Sequence, residues 1–178
     1  MKRIPVAVLA GITALLLQSQ SSSAQDGGRT VAAAAMRDQS GALVGSIAFV
    51  QQNGSVQVRA EAWSIAPGFH GFHVHSVGSC QGDFASAGGH LNRAPVGHAQ
   101  HDGDMPSLFI QMDSSGSLRF ETDRFTVADL FDGDGSAVIV HALPDNFGNI
   151  PTRYAPEPDT TTLNTGDSGG RVACGVVE

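Results

Sequence analysis

The sequence predicts an all-β fold, an antiparallel sandwich or flattened barrel. Three observations predict it. Glycine occurs 22 times and proline 8 times in 178 residues, a turn-rich composition that disfavours a helical bundle. Short apolar or alternating runs recur along the chain. Turn signals such as Ser40-Gly41 and Asn53-Gly54 separate those runs. With 41% hydrophobic and 15% charged residues, the chain is too apolar for a disordered polyelectrolyte and long enough to bury one core.

The elements follow in order. Val31–Ala35 is read as a strand, although four consecutive alanines also favour helix. Leu43–Gln51 and Ser55–Trp63 come next. In the latter, Val56, Val58, Ala60 and Ala62 alternate with Gln57, Arg59 and Glu61, the period of a half-buried strand. Asn53-Gly54 between the two runs predicts a hairpin with a type I′ turn. Further strands are expected at Gly71–His75, Ser107–Met112, Ser117–Glu121, Ala137–Ala142 and Arg171–Val177, about eight in all. Two segments resist a strand reading, Ser76–Pro106 and Leu143–Gly170. Each runs to about 30 residues, and loops so long in a compact domain are usually functional. Ordering them costs about 1–2 kcal/mol per residue, so something must restrain them.

The start of the chain reads as an address. Lys2 and Arg3 precede an apolar run from Ile4 to Leu17, and a polar stretch then ends in Ser22-Ser23-Ala24. This is the pattern of a secretory signal peptide over residues 1–24, leaving 25–178 as one domain. The apolar run, about 14 residues, is too short for a hydrocarbon core of roughly 30 Å. No membrane span is expected in the mature chain, and a periplasmic or extracellular product is. Losing Lys2 and Arg3 takes the formal charge from −7 to −9. Such an acidic chain is not expected to bind nucleic acid, which needs a basic patch for its phosphates. In an oxidising compartment the two cysteines, Cys80 and Cys174, read as a disulfide closing a loop of roughly 95 residues.

The histidines carry the chemistry. Six of the seven, His70, His73, His75, His90, His98 and His101, crowd into one stretch, and His141 stands apart. His73 and His75, two apart on an expected strand, share a face and can approach one metal ion. His98, His101 and Asp104 form a second close set of the N and O donors that zinc takes. His90 lies between the sets and has two ring nitrogens, so it can bridge two cations. His70 has no partner at ligand spacing and is expected to hydrogen-bond the backbone.

These residues resemble the copper–zinc superoxide dismutases over nearly the whole mature chain. The resemblance rests on Gly71-Phe-His-Val-His75, Asp83-Phe-Ala-Ser-Ala-Gly-Gly-His-Leu-Asn92, His101-Asp-Gly-Asp-Met-Pro106, Val138-Ile-Val-His141 and Gly170-Arg-Val-Ala-Cys-Gly175. It implies an eight-stranded Greek-key β-barrel or sandwich with two long functional loops. It further implies that His73, His75, His90 and His141 bind copper, and that His90, His98, His101 and Asp104 bind zinc. Arg171 and His90 would be the catalytic residues. Cys80–Cys174 would be the intrasubunit disulfide. Asp145 would link a copper ligand to a zinc ligand through hydrogen bonds. The implied activity is conversion of two superoxide anions to dioxygen and hydrogen peroxide by copper redox cycling. A non-catalytic copper- and zinc-binding protein of the same fold is the alternative. The resemblance leaves a homodimer open.

Three positions depart from the family pattern. Asn164 stands where many members have a loop lysine, Arg93 follows His90-Leu-Asn where proline is frequent, and the His98–His101 spacing is much shorter than in the eukaryotic enzymes. Attraction of an anion then falls to the metals and Arg171, or to Arg153, with Leu143–Gly170 as the channel wall. Other metalloprotein classes fit less well. Ser76–Cys80 lacks the glutamate a cupin-like dioxygenase needs, and the four methionines are scattered, unlike the Met- and Cys-rich sites of Cu(I) carriers. Three histidines with Asp104 would leave no open position for a zinc hydrolase.

Overall fold

The computed structural model describes residues 31–155 and 157–178. The expected signal peptide, residues 1–24, lies outside the described residues. Nine strands are described: β1 Val31–Asp38, β2 Leu43–Gln51, β3 Val56–Trp63, β4 Gly68–His70, β5 Phe72–His75, β6 Leu108–Ile110, β7 Ser115–Thr122, β8 Ala137–His141 and β9 Arg171–Val176. Seven form one antiparallel sheet in the order β5-β8-β9-β1-β2-β3-β7, and β4 pairs with β6. Because β4 runs into β5 and β6 turns into β7, this short pair spans the two ends of the curled sheet. The chain crosses between distant strands after β3 and again after β7, which is a Greek-key arrangement.

The alanine run is strand, not helix. Every second residue of β1, from Ala32 to Met36, is buried, and the strand pairs with β2 on one side and β9 on the other. Tertiary pairing outweighs the helix propensity of four alanines. The β2–β3 hairpin forms with the expected register, Val50 opposite Gln57, but its turn is not type I′. Of Asn53 and Gly54 only Gly54 has positive φ (82°), and Gln52 N donates to Ser55 O at 2.7 Å across a four-residue connection. The extra strand is β4, which ends at His70 and pairs with β6. Gly71 separates it from β5, and glycine is needed there because a Cβ would collide with Ser168.

Phe49, Phe72, Met36, Leu108, Ile110 and Leu130 are fully buried in the barrel interior. A smaller cluster, Phe84, Ala87, Ala137, Ile139 and Cys174, lies around the Cys80–Cys174 disulfide. The two long segments are loops, with two departures among the described residues. Ala85–Ala87 forms a single 3₁₀ turn in the first, and Thr160–Thr165 forms a short helix, α1, in the second. The threonines of α1 are poor helix formers. The ends hold it instead: Asp159 Oδ1 accepts from Thr162 N at 2.9 Å, and Gly166 closes it at φ 59°.

Candidate metal centre

β5 supplies His73 and His75, and both imidazoles are buried. One edge of β5 pairs with β8, which ends at His141. The loop after β5 folds back to cover its other edge. Ser76 N donates to Gly89 O (2.9 Å), Leu91 N to Val74 O (2.8 Å) and Val74 N to Gly103 O (2.9 Å). This pairing sets His90 opposite His75 and Asp104 opposite His73. Gly103 is required at the crossing, because a Cβ would run into Val74 O and Leu91.

Two groups of buried donors result. His73, His75, His90 and His141 each offer a ring nitrogen, all within 4.8 Å of one another. His75 Nε2 and His141 Nε2 are 3.4 Å apart. His73 Nδ1 and His90 Nε2 are buried without a hydrogen-bond partner. The second group within that span is His73, His90, His98 and Asp104. His90 Nδ1 lies 2.8 Å and His98 Nδ1 3.1 Å from Asp104 Oδ1, the latter without hydrogen-bond geometry. His101 falls outside this grouping, yet its Nδ1 is 3.4 Å from both His90 Nδ1 and Asp104 Oδ1.

These donor sets fit metal ions. Zinc bonds of 2.0–2.2 Å in a tetrahedron separate donors by roughly 3.3 Å. Separations among the donors of His90, His98, His101 and Asp104, 2.8–3.4 Å, are of that size. Buried ring nitrogens lacking partners are costly unless something accepts their lone pairs.

The opposite ring nitrogens are fixed by the protein. His75 Nδ1 faces Gly88 O at 3.0 Å, and His141 Nδ1 faces Gly169 O at 3.1 Å. Asp145 takes two rings at once, with His73 Nε2 at 2.7 Å from Oδ2 and His98 Nε2 at 2.8 Å from Oδ1. Such contacts set tautomer and ring orientation. Gly166 lies against this bridge, and a Cβ there would overlap Asp145 Oδ1 and His98 Nε2. His70, as expected, turns to the backbone, with its nitrogens 2.6 Å from His141 O and 2.8 Å from Ala66 O.

Burial pushes His90 down to about 4 and His141 to about 3, and takes His75 well below the usual imidazole value. Neighbouring imidazoles add to the effect. These three rings are therefore neutral near pH 7, with lone pairs to donate. His98 goes the other way. Burial opposes its charge, but hydrogen bonds and attraction from Asp104 and Asp145 outweigh it and raise the group to about 9. Burial alone would raise both carboxyls, yet their histidine partners hold Asp104 and Asp145 well below the ordinary carboxylate range.

A cavity of about 470 Å³ opens over this cluster. His75, His90, His101, His141 and Arg171 line it, with Asn92, Asn164, Thr165 and Gly169 at its walls. Leu143–Gly170 thus contributes part of the wall, as expected. Arg153 is not among the lining residues and lies over the Tyr154 ring at 4.7 Å. Arg171, half-buried at the start of β9, donates Nη1 to Phe84 O and Nη2 to Gly88 O. Gly88 O therefore serves His75 and Arg171 together. That carbonyl and Gly169 O carry no mark in a residue pattern, and sequence reasoning missed them. It missed Asn92 as well.

Comparison with known proteins agrees with this geometry. A family model described as copper/zinc superoxide dismutase (SODC) matches residues 43–177. A superoxide dismutase [Cu-Zn] of Mycolicibacterium paratuberculosis is 43% identical over 159 residues, covering 77% of this chain and 69% of the relative. One from Mycobacterium bovis is 45% identical over 130 residues, covering 64% of this chain but 54% of the relative. Among solved structures, the clock protein EA4 superposes with a TM-score of 0.71 at 28% identity, covering 84% of this chain and 94% of that one. A double mutant of a SOD-like protein from Bacillus subtilis gives 0.66 at 29% identity, covering 81% and 95%. With the family match running across most of the described residues, this chain belongs to the copper/zinc superoxide dismutase family.

Proposed function

We propose that this protein is an exported superoxide dismutase in which His73, His75, His90 and His141 hold copper and His90, His98, His101 and Asp104 hold zinc. The observation that carries the reading is the pair of buried donor groups that meet at His73 and His90, one of them open to a cavity beside a guanidinium. Copper held by the first set would supply one-electron redox chemistry, and zinc held by the second a fixed charge. The net change is two superoxide anions and two protons to dioxygen and hydrogen peroxide.

The chain's own residues do the rest. Arg171, which lines the cavity, offers a fixed positive charge and planar donors to a small anion there. Its hold on the carbonyls of Phe84 and Gly88 keeps it from swinging away. His90 holds Nδ1 beside Asp104 and His101 while its Nε2 is buried without a partner, so Nε2 can accept a proton and return it without the ring moving. Asp145 orients His73 and His98 and couples the two halves of the site. Export is supported by the N-terminal pattern and by a disulfide, which persists in oxidising compartments. One relative, from Brugia pahangi, is named an extracellular superoxide dismutase.

The test joins elemental analysis to a direct superoxide assay. One copper and one zinc per chain with peroxide formed from superoxide is the expected result. Bound metals without turnover would instead identify a metal-binding relative without activity. Arg171→Ala is expected to keep both metals and to slow kcat/KM by about 10-fold or more, the scale of one lost electrostatic contact. The loss should shrink as salt is added, because salt screens the attraction that Arg171 provides. An unchanged rate would make Arg171 a structural residue.

A further inference from the structure

We infer that Arg124 and Arg93 form a clamp that positions the zinc-side donors, with Arg124 acting on the backbone of His101 and Ala99. The inference rests on the zinc assignment just proposed. Only Ala99 and Gln100 separate His98 from His101, and both imidazoles turn inward. The backbone between them must reverse within that span, and its closing bonds are few. Gln100 N donates to Gly97 O at 2.9 Å, and Asp104 N donates to His101 O at a long 3.3 Å. Arg124, from the turn after β7, reaches across and donates Nη1 to Ala99 O (2.8 Å) and to His101 O (3.1 Å). One guanidinium therefore holds two carbonyls of the short loop from outside, while Asp104 Oδ2 accepts from His101 N (3.0 Å) inside.

Arg93 fastens that guanidinium's own backbone. It lies three residues after His90, and its Nη2 donates to Arg124 O at 2.8 Å and to Asp102 Oδ1 at 2.9 Å. Its backbone N donates to Asp102 Oδ2 at 2.7 Å, and its Nη1 lies 2.7 Å from Asp129 Oδ1. Asp129 in turn caps the 3₁₀ turn Val127–Phe131 through Thr126. The segment after His90, the residue after His101 and the turn carrying Arg124 are thus tied at one point. A single exposed ion pair of this kind contributes little. A charged donor on two carbonyls, braced by a network, contributes positional restraint to groups that must meet a metal within tenths of an ångström. Neither arginine touches the donors' ring atoms, so both are positioning residues.

The test reads metal affinity, not turnover. Zinc affinity is measured by competition with a chromophoric chelator, and cobalt(II), loaded in place of zinc, reports donor geometry through its visible bands. Arg124→Ala is expected to weaken zinc binding roughly 10- to 100-fold and to shift the cobalt bands, with copper content unchanged. Arg124→Lys restores part of the affinity, because an ammonium can reach the same carbonyls. Arg93→Ala, at a half-exposed residue, moves affinity the same way. The double variant loses less than the two single losses combined, since Arg93 acts partly through the backbone of Arg124. Zinc affinity within about twofold of the unsubstituted protein, with only the melting temperature lowered, would overturn the clamp and leave the zinc assignment standing. An unsubstituted chain that takes up neither zinc nor cobalt would overturn both.

Discussion

On the proposed assignment, replacing His141 by alanine is expected to abolish superoxide turnover, strip copper and leave zinc in place. The asymmetry follows from geometry. His141 belongs to the group with His73, His75 and His90 and is absent from the group with His98 and Asp104. Its Nε2 faces His75 Nε2 at 3.4 Å, and its Nδ1 is anchored on Gly169 O, so the ring's free nitrogen has one direction to serve. Losing a contact one shell removed from a metal costs about 10- to 100-fold, so loss of a direct donor should exceed that, with activity down by more than about 100-fold. The fold should survive. His141 N still donates to Gly71 O, and its carbonyl still meets His70. What is lost is one hydrogen bond and some packing, about 1–2 kcal/mol, or a fall of roughly 3–8 °C in the metal-free melting temperature. Elemental analysis, circular dichroism and a superoxide assay on one preparation decide the matter. A variant that keeps copper and activity would remove His141 from the copper shell.

How far the sequence discloses this molecule depends on whether the information is local. β2 was legible to the residue, because an apolar run bounded by Ser40-Gly41 and Asn53-Gly54 says where a strand starts and stops. β1 was legible only in part, since its alanines favour helix and the strand exists because β2 and β9 flank it. α1 was missed although Asp159 and Gly166 mark its ends, because threonines between them argue against helix. The donor residues announced themselves by type and clustering. Their partners did not: Gly88 O and Gly169 O are backbone atoms brought in by long loops, and any residue could supply them. The same holds for Arg124, whose role depends on reaching carbonyls 23 and 25 residues away.

Removing the Cys80–Cys174 bridge gives the largest expected loss of stability, and it should disturb the cavity as well as the fold. The two cysteines are 94 residues apart in sequence. On the chain-entropy account, closing such a loop stabilises the native state by about 4–5 kcal/mol, or roughly 10–20 °C in a domain of this size. Cys174 sits on β9 three residues after Arg171, while Cys80 opens the stretch that carries Phe84 and Gly88. The bridge therefore ties the guanidinium's strand to the carbonyls the guanidinium grips. Without it, that stretch keeps Val77 N on Ala87 O and Gly78 N on Asp134 O but loses its covalent anchor to β9. A Cys80→Ala/Cys174→Ala chain, measured well below its melting temperature, is expected to bind both metals and turn over several-fold more slowly. Adding Arg171→Ala to that chain should cost less than it does in the bridged protein, because the two changes act on one contact. Full additivity would mean that the bridge stabilises the barrel without setting Arg171. Reduction of the unsubstituted protein with a phosphine should reproduce the melting shift, which separates loss of the bond from any packing change at the buried Cys174.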